Sequence, residues 1–110
     1  MNDLQTRHGY WQQRAFGDSL TDQGLISHMK REILEIEKAT RNEEIEEECA
    51  DLLLLLLGFA HKKGFSLLDA SEAKFAKVQK RTWNQPDAEG VIEHVRSHSE
   101  EYYKNLYERK

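Results

Sequence analysis

Two acidic pairs carry the most specific chemistry this sequence can offer. Glu32 and Glu35 stand three apart in Glu32-Ile33-Leu34-Glu35, and Glu48 and Asp51 three apart in Glu48-Cys49-Ala50-Asp51. On a helix that spacing puts both carboxylates of a pair on one side. If two such helices lie antiparallel, the four carboxylates converge, and like charges brought together out of bulk water are costly without a cation. Hard oxygen donors in that arrangement suit Mg2+ or Mn2+. Acids on helix surfaces are ordinary, and the glutamates from Glu43 to Glu48 make chance pairs common. Asp51 is the unusual one, because it abuts the leucine run Leu52 to Leu57, where an unpaired carboxylate is hard to accommodate.

A second group is basic. Lys74, Lys77, Lys80 and Arg81 precede Trp83 and Asn84. Cations near an acidic metal cluster would hold phosphates, and an indole can stack on a base. The plainer reading is a solvated basic helix face with a tryptophan in the core. His28 and His94 are in reach of substrate contacts, although single histidines more often serve packing or surface roles. His94 and His98 lack the further ligands a zinc site needs. Cys49 reads as a small core filler, and Tyr10, Trp11 and Phe16 as helix-packing residues. No Gly-rich phosphate loop, HExxH or GxSxG is present.

The elements that must position these residues read as helices. A first runs from Leu4 to Ala15. A second, capped by Thr21 or Asp22, extends to about Ala39, with Ile26, Met29, Ile33 and Ile36 as its buried stripe. Thr40 and Glu43 stand at capping-box spacing for a third helix that stops at Lys62-Lys63-Gly64. It carries the apolar stripe Ile45, Cys49, Leu52, Leu56 and Phe59. Ser66 and Asp69 open a fourth helix carried to Arg81 or Thr82, and the short linker before it predicts an antiparallel neighbour. Asn84-Gln85-Pro86-Asp87 and Gly90 break the pattern, and Val91 to Lys110 can be helical again. The fold class is therefore all-α, a bundle of four to five helices in one domain over residues 1–110, with 97–110 as a C-terminal tail. Leu52 to Leu57 is apolar on every face, which three neighbours in so small a bundle do not cover, and this predicts a core shared between subunits.

Composition narrows the function. The chain has 110 residues, 20 acidic against 16 basic, a formal net charge of −4 and one cysteine. This excludes disulfide-framed scaffolds and disfavours binding of polymeric nucleic acid through many phosphates. The leucine run is far short of the roughly 20 residues of a membrane span. The first residues show no secretory pattern, so a cytoplasmic, membrane-free location is the expectation.

Taken in order, His28-Met29-Lys30-Arg31-Glu32-Ile33-Leu34-Glu35, Glu48-Cys49-Ala50-Asp51-Leu52-Leu53-Leu54, Lys74 through Trp83, and Gly90-Val91-Ile92-Glu93-His94-Val95-Arg96 resemble the MazG-like all-α nucleotide pyrophosphohydrolases. Among them the chain looks most like the small dATP/dGTP diphosphohydrolase branch that includes the phage MazZ type. The resemblance implies a dimeric or tetrameric bundle in which water attacks the α-phosphorus of a deoxynucleoside triphosphate, giving monophosphate and pyrophosphate. It assigns Glu32, Glu35, Glu48 and Asp51 to Mg2+ or Mn2+, with one glutamate as base for the water. It assigns Lys74 and Arg81 to phosphate, with Trp83, Asn84, His28 and Trp11 as further substrate contacts. Arg31 stands where the family commonly carries another Glu, and Val78 where it commonly carries Asn. Within this class dUTP or dCTP is the alternative substrate. Outside it, the alternative is a non-catalytic helical protein that only binds nucleotide.

Overall fold

The structure, a computed structural model, describes residues 3–95. These form four α-helices, α1 (Asp3–Phe16), α2 (Asp22–Lys38), α3 (Asn42–Lys63) and α4 (Leu67–Val78), with a 3-10 turn at Gly17–Ser19 between the first two. The all-α expectation holds, and among the described residues no strand is present.

Local chemistry sets most of the helix ends. Thr21 caps α2, its hydroxyl accepting from the Gly24 N–H at 3.0 Å. Ser66 does the same before α4, accepting from the Asp69 N–H at 3.2 Å. Gly64 ends α3 in the left-handed region at φ 83°, its N–H turned back to the carbonyls of Ala60 and His61. The expected capping box at Thr40 and Glu43 does not form. α3 begins one residue later than that box requires, after Arg41, whose Nε donates to Glu44 Oε1 at 2.7 Å.

The chain divides into two compact units, with the boundary between Ala73 and Lys74. In the first, α3 is the central element, with α2 and α1 packed against it. Leu25, Leu57 and Ala60 form the buried apolar core. Lys62 and Lys63, at the end of α3, both reach Asp22 at the start of α2, at 2.6 and 2.9 Å. Those exposed pairs fix direction more than they stabilise. α1 comes unusually close to α3: a Cβ on Gly9 would lie 2.2 Å from the His61 ring, and one on Gly58 2.3 Å from Gln12 Oε1. The buried Gln12 uses that proximity to donate from Nε2 to the Gly58 carbonyl at 2.8 Å. Gln5, also buried, ties the α3–α4 linker, donating to the Phe65 carbonyl at 2.7 Å and accepting from the Leu67 N–H at 2.9 Å.

Several burial expectations are corrected. The stripe Ile26, Met29, Ile33 and Ile36 is not the buried face of α2, and Ile33 is 52% exposed. Among the described residues α3 is the main neighbour of α2 and covers a narrow face of it, where Leu25 and Glu32 are the buried residues. Cys49 is exposed rather than core filler, as are Ile45, Leu53 and Leu56. Among the described residues, α4 buries none of its own. Tyr10, Trp11 and Phe16 are about half exposed and do not pack into the core.

In the second unit α4 stops at Val78, earlier than expected. Trp83 and His94 then form an antiparallel bridge, flanked by Asn84 N–H to Glu93 carbonyl at 2.8 Å and Val95 N–H to Thr82 carbonyl at 2.7 Å. Asp87 Oδ1 closes the turn by accepting from the Glu89 and Val91 N–H groups, each at 2.9 Å. This ladder takes up the backbone groups that helix would need, so Val91 to Val95 is not helical as expected. The expected tail, 97–110, lies outside the described residues. No helix among the described residues is long and apolar enough to cross a membrane.

Candidate active site

The connector between α2 and α3 is only the stretch 39–41, so the two helices return antiparallel along each other. Glu32 lies eight residues before Thr40 and Glu48 eight after it, which sets them opposite one another across the pair. Asp51 follows one turn further along α3. Glu32, Glu48 and Asp51 each offer a carboxylate oxygen, all within 4.8 Å of one another. Glu35, an exposed residue one turn along α2, stays outside this trio.

The trio is electrostatically unsettled without a cation. A hydrogen bond with the Glu32 carboxyl, then lost hydration, then the negative charges of Glu32, Asp51 and Glu35 push Glu48 up to about 7. Glu32 is 9% exposed, and its Oε2 is buried with no hydrogen-bond partner among the described residues. A protonated Glu48 can give Glu32 that bond; once both are ionised, nothing among the described residues does. His28 Nε2 lies 3.3 Å from Glu32 Oε1, one turn back on α2, so His28 holds the carboxylate from its solvent side. An all-oxygen trio, one member short of a partner and another resisting ionisation, fits a small hard divalent ion.

Beside the trio lies a cavity of about 530 Å3, large enough for a nucleotide-sized ligand. Glu32 and Asp51 line one part of it, together with His28. Trp11 and Phe16, edge to face with ring centres 5.5 Å apart, line another, and Leu25, Leu54 and Leu55 add apolar wall. Of the predicted contacts, Trp11 and His28 therefore share a cavity with two of the acids. His8, Gln12 and Ser19 line it too and were not singled out from the sequence. The signal was available, since His8, Trp11 and Gln12 fall at i, i+3 and i+4 on one face of α1. A second cavity of about 780 Å3, bounded by Gln13, Asp22 and Lys62, touches none of the predicted site residues.

The remaining candidates belong to the second unit. Lys74 is exposed on α4. Arg81 is partly buried, with Nη1 3.4 Å from His94 Nδ1. Trp83 is 43% exposed and meets the His94 ring edge-on at 6.0 Å, and Asn84 is exposed. Trp83 is thus not the core plug of the plainer reading.

Glu48 also sets a pH dependence. Unfolded, its carboxyl ionises near 4.5; folded, it keeps its proton to about 7. Its share of stability is therefore full below 4.5 and lost as pH rises through 7. In chelator, the melting temperature of the wild type relative to Glu48→Gln is expected to fall between pH 4.5 and 8. Divalent ion should abolish that fall, because it takes the place of the proton. Parallel curves for the two proteins in chelator would contradict the crowding.

Comparisons with known proteins give the chain a family and a similar solved fold. The dATP/dGTP pyrophosphohydrolase family matches residues 4–101. Among solved structures, the chain is similar to the cyanophage S-2L MazG-like pyrophosphohydrolase bound to dGDP and three catalytic Mn2+ ions per active site. The identity is 28% and the TM-score 0.74, over 87% of this chain and 93% of that one. The search of curated proteins gave no match. With the family matched over nearly the whole chain, this protein belongs to the dATP/dGTP pyrophosphohydrolases, and it is a nucleotide pyrophosphohydrolase, a hydrolase of acid anhydrides.

Proposed function

We propose that the protein hydrolyses the purine deoxynucleoside triphosphates dATP and dGTP to monophosphate and pyrophosphate, using Mg2+ or Mn2+. The observation that carries this is the single cavity that joins aromatic wall, Trp11 and Phe16, to two carboxylates of the acidic trio. A base against the rings leaves its phosphates toward Glu32 and Asp51, where anions are tolerated only with cations between. Glu32, Glu48 and Asp51 would hold the divalent ions, which neutralise the triphosphate and stabilise charge developing in transfer. The cyanophage protein binds three Mn2+ ions, consistent with a carboxylate set of this size. Glu35, outside the trio, is assigned as the fourth ligand by its spacing from Glu32, and one of the glutamates would take a proton from the attacking water. His28 orients Glu32. Lys74 and Arg81 are assigned to phosphate on their charge, with Trp83 and Asn84 beside them in sequence.

The reading treats residues 1–110 as one functional domain acting on the cytoplasmic nucleotide pool. It also includes assembly into a homodimer or homotetramer. Ile33, Leu34, Leu53 and Leu56 are each between 39% and 52% exposed, an apolar surface that a second copy would cover.

The test is incubation with each dNTP, with Mg2+, Mn2+ or chelator, and chromatography of the products. The expected result is metal-dependent dAMP and dGMP with pyrophosphate, ahead of the pyrimidines. Faster dUTP or dCTP hydrolysis would overturn the base preference. Intact nucleotides under both metals would leave a binding protein.

A further inference from the structure

In the second unit an arginine side chain meets a histidine from the far side of a turn. After α4 ends at Val78, the Lys80 N–H bonds the Lys77 carbonyl at 3.1 Å and the Arg81 N–H the Val78 carbonyl at 3.2 Å, which brings the chain round to Arg81. Trp83 then pairs antiparallel with His94, so Arg81 and His94 are diagonal neighbours, within reach of a long side chain. Asp87 closes the turn between them and fixes that register. The His94 ring is partly buried, with the Trp83 indole edge-on at 6.0 Å and Arg81 Nη1 3.4 Å from its Nδ1. Lys74, Lys77 and Lys80 are exposed, whereas Arg81 is the partly buried cation of this group.

A guanidinium only donates, so in this contact Nδ1 is the bare, accepting nitrogen and the ring proton sits on Nε2. At 3.4 Å the bond is long and contributes little to stability. Its effect is on direction. A free arginine loses rotamer freedom when it grips a phosphate, and that loss is subtracted from affinity. A guanidinium already oriented in the free protein has less to lose. Arg81 spends an N–H of Nη1 on His94, which leaves the others of the fork for phosphate oxygens. Resting on the assignment of Arg81 to phosphate in the nucleotide reading, we infer that His94 is a positioning residue: its neutral Nδ1 holds the Arg81 guanidinium in the orientation that grips the triphosphate. His94 itself touches no substrate in this arrangement and acts through Arg81.

The experiment measures, by calorimetry on the full chain, binding of the non-hydrolysable α,β-imido analogue of dATP with Mg2+. His94→Phe keeps a flat ring beside Trp83 and removes the acceptor. It is expected to weaken binding about fivefold, the scale of one long side chain immobilised on binding. His94→Asn, whose side-chain oxygen can take the place of Nδ1, should recover most of that loss. Arg81→Met binds more weakly by itself, and adding His94→Phe to it should cost nothing further. That non-additivity is a readout that a merely structural role of His94 would not give. Nitrogen-15 spectra of the wild type at pH 8 should show His94 neutral, with its proton on Nε2. Unchanged affinity in His94→Phe, no recovery in His94→Asn, the same loss in the Arg81→Met background, or a proton on Nδ1 overturns the inference while leaving the nucleotide site standing. Binding as tight as wild type in Arg81→Met removes Arg81 from phosphate, and the inference falls with it. If the wild type does not bind the analogue, the nucleotide reading falls as well.

Discussion

Glu48→Gln is expected to lower metal-dependent dNTP turnover by about 10^3-fold or more, the scale on which loss of one group stabilising transition-state charge is felt. The same substitution should raise the melting temperature of the metal-free protein at pH 8. The two effects have one cause. Glu48 sits within 4.8 Å of Glu32 and Asp51 and is held up to about 7 by them. A neutral amide of the same shape relieves that crowding and can still donate to Glu32. Asp51→Asn should behave alike in activity, with a smaller gain in stability, because Asp51 is the exposed member of the trio. Helical content should be unchanged in both. Loss of activity together with loss of fold would mean the carboxylates are structural. Full activity in both variants would sink the site assignment.

Gly58→Ala is the second large effect, and its sign depends on which of three terms wins. Replacing a mid-helix glycine by alanine ordinarily gains about 1 kcal/mol. Here the new methyl would stand 2.3 Å from Gln12 Oε1, too close for any real contact, and 3.0 Å from His8 Cε1. Gln12 must then swing away and lose its 2.8 Å bond to the Gly58 carbonyl. Overpacking costs about 1–3 kcal/mol and a buried amide left unpaired about as much again. The net expectation is a loss of about 2 kcal/mol in denaturant unfolding, with weaker nucleotide binding because His8 and Gln12 both line the cavity. Adding Gln12→Ala removes the obstructing amide and should restore part of the stability, a coupling that a double-mutant cycle would measure. A more stable Gly58→Ala protein would show that α1 is free to move off α3.

What could be read from the sequence were features written in a few neighbouring residues. Thr21, Ser66 and Gly64 cap or stop helices through bonds that span three to five positions, and the structure forms all of them. The i, i+3 acidic pairs are equally local, and three of the four acids meet as anticipated. What failed was the choice of buried face. A periodic stripe states that a helix has an apolar side, not which neighbour covers it. On α2 and α3 the covered side is that of Leu25, Glu32 and Leu57, while Ile33, Cys49 and Leu56 stay open. The cavity was hidden for a related reason. It depends on α1 lying close against α3 through Gly9 and Gly58, a contact spanning about fifty residues that no local pattern announces. The extended 91–95 segment was misread as helix because its pairing partner, the stretch around Trp83, contributes only an isolated bridge.

The placing of the acids about Thr40 bears on how such a site can be inherited. Everything from Glu32 to Asp51 is one uninterrupted stretch folded back on itself at 39–41. An extra residue in that bend adds little chain entropy and leaves both helices whole. An extra residue inside the first turns of α3 would swing Glu48 and Asp51 by about 100° and advance them by about 1.5 Å, dispersing the trio. Length variation is thus confined to the bend, and the acidic half behaves as a module that a duplication or fusion can carry intact into another helical scaffold. The aromatic half of the cavity cannot travel that way, because its walls run from His8 to Leu55 and exist only while α1 stays docked. Divergence of substrate within this architecture should therefore accumulate on α1 while the acid hairpin stays fixed.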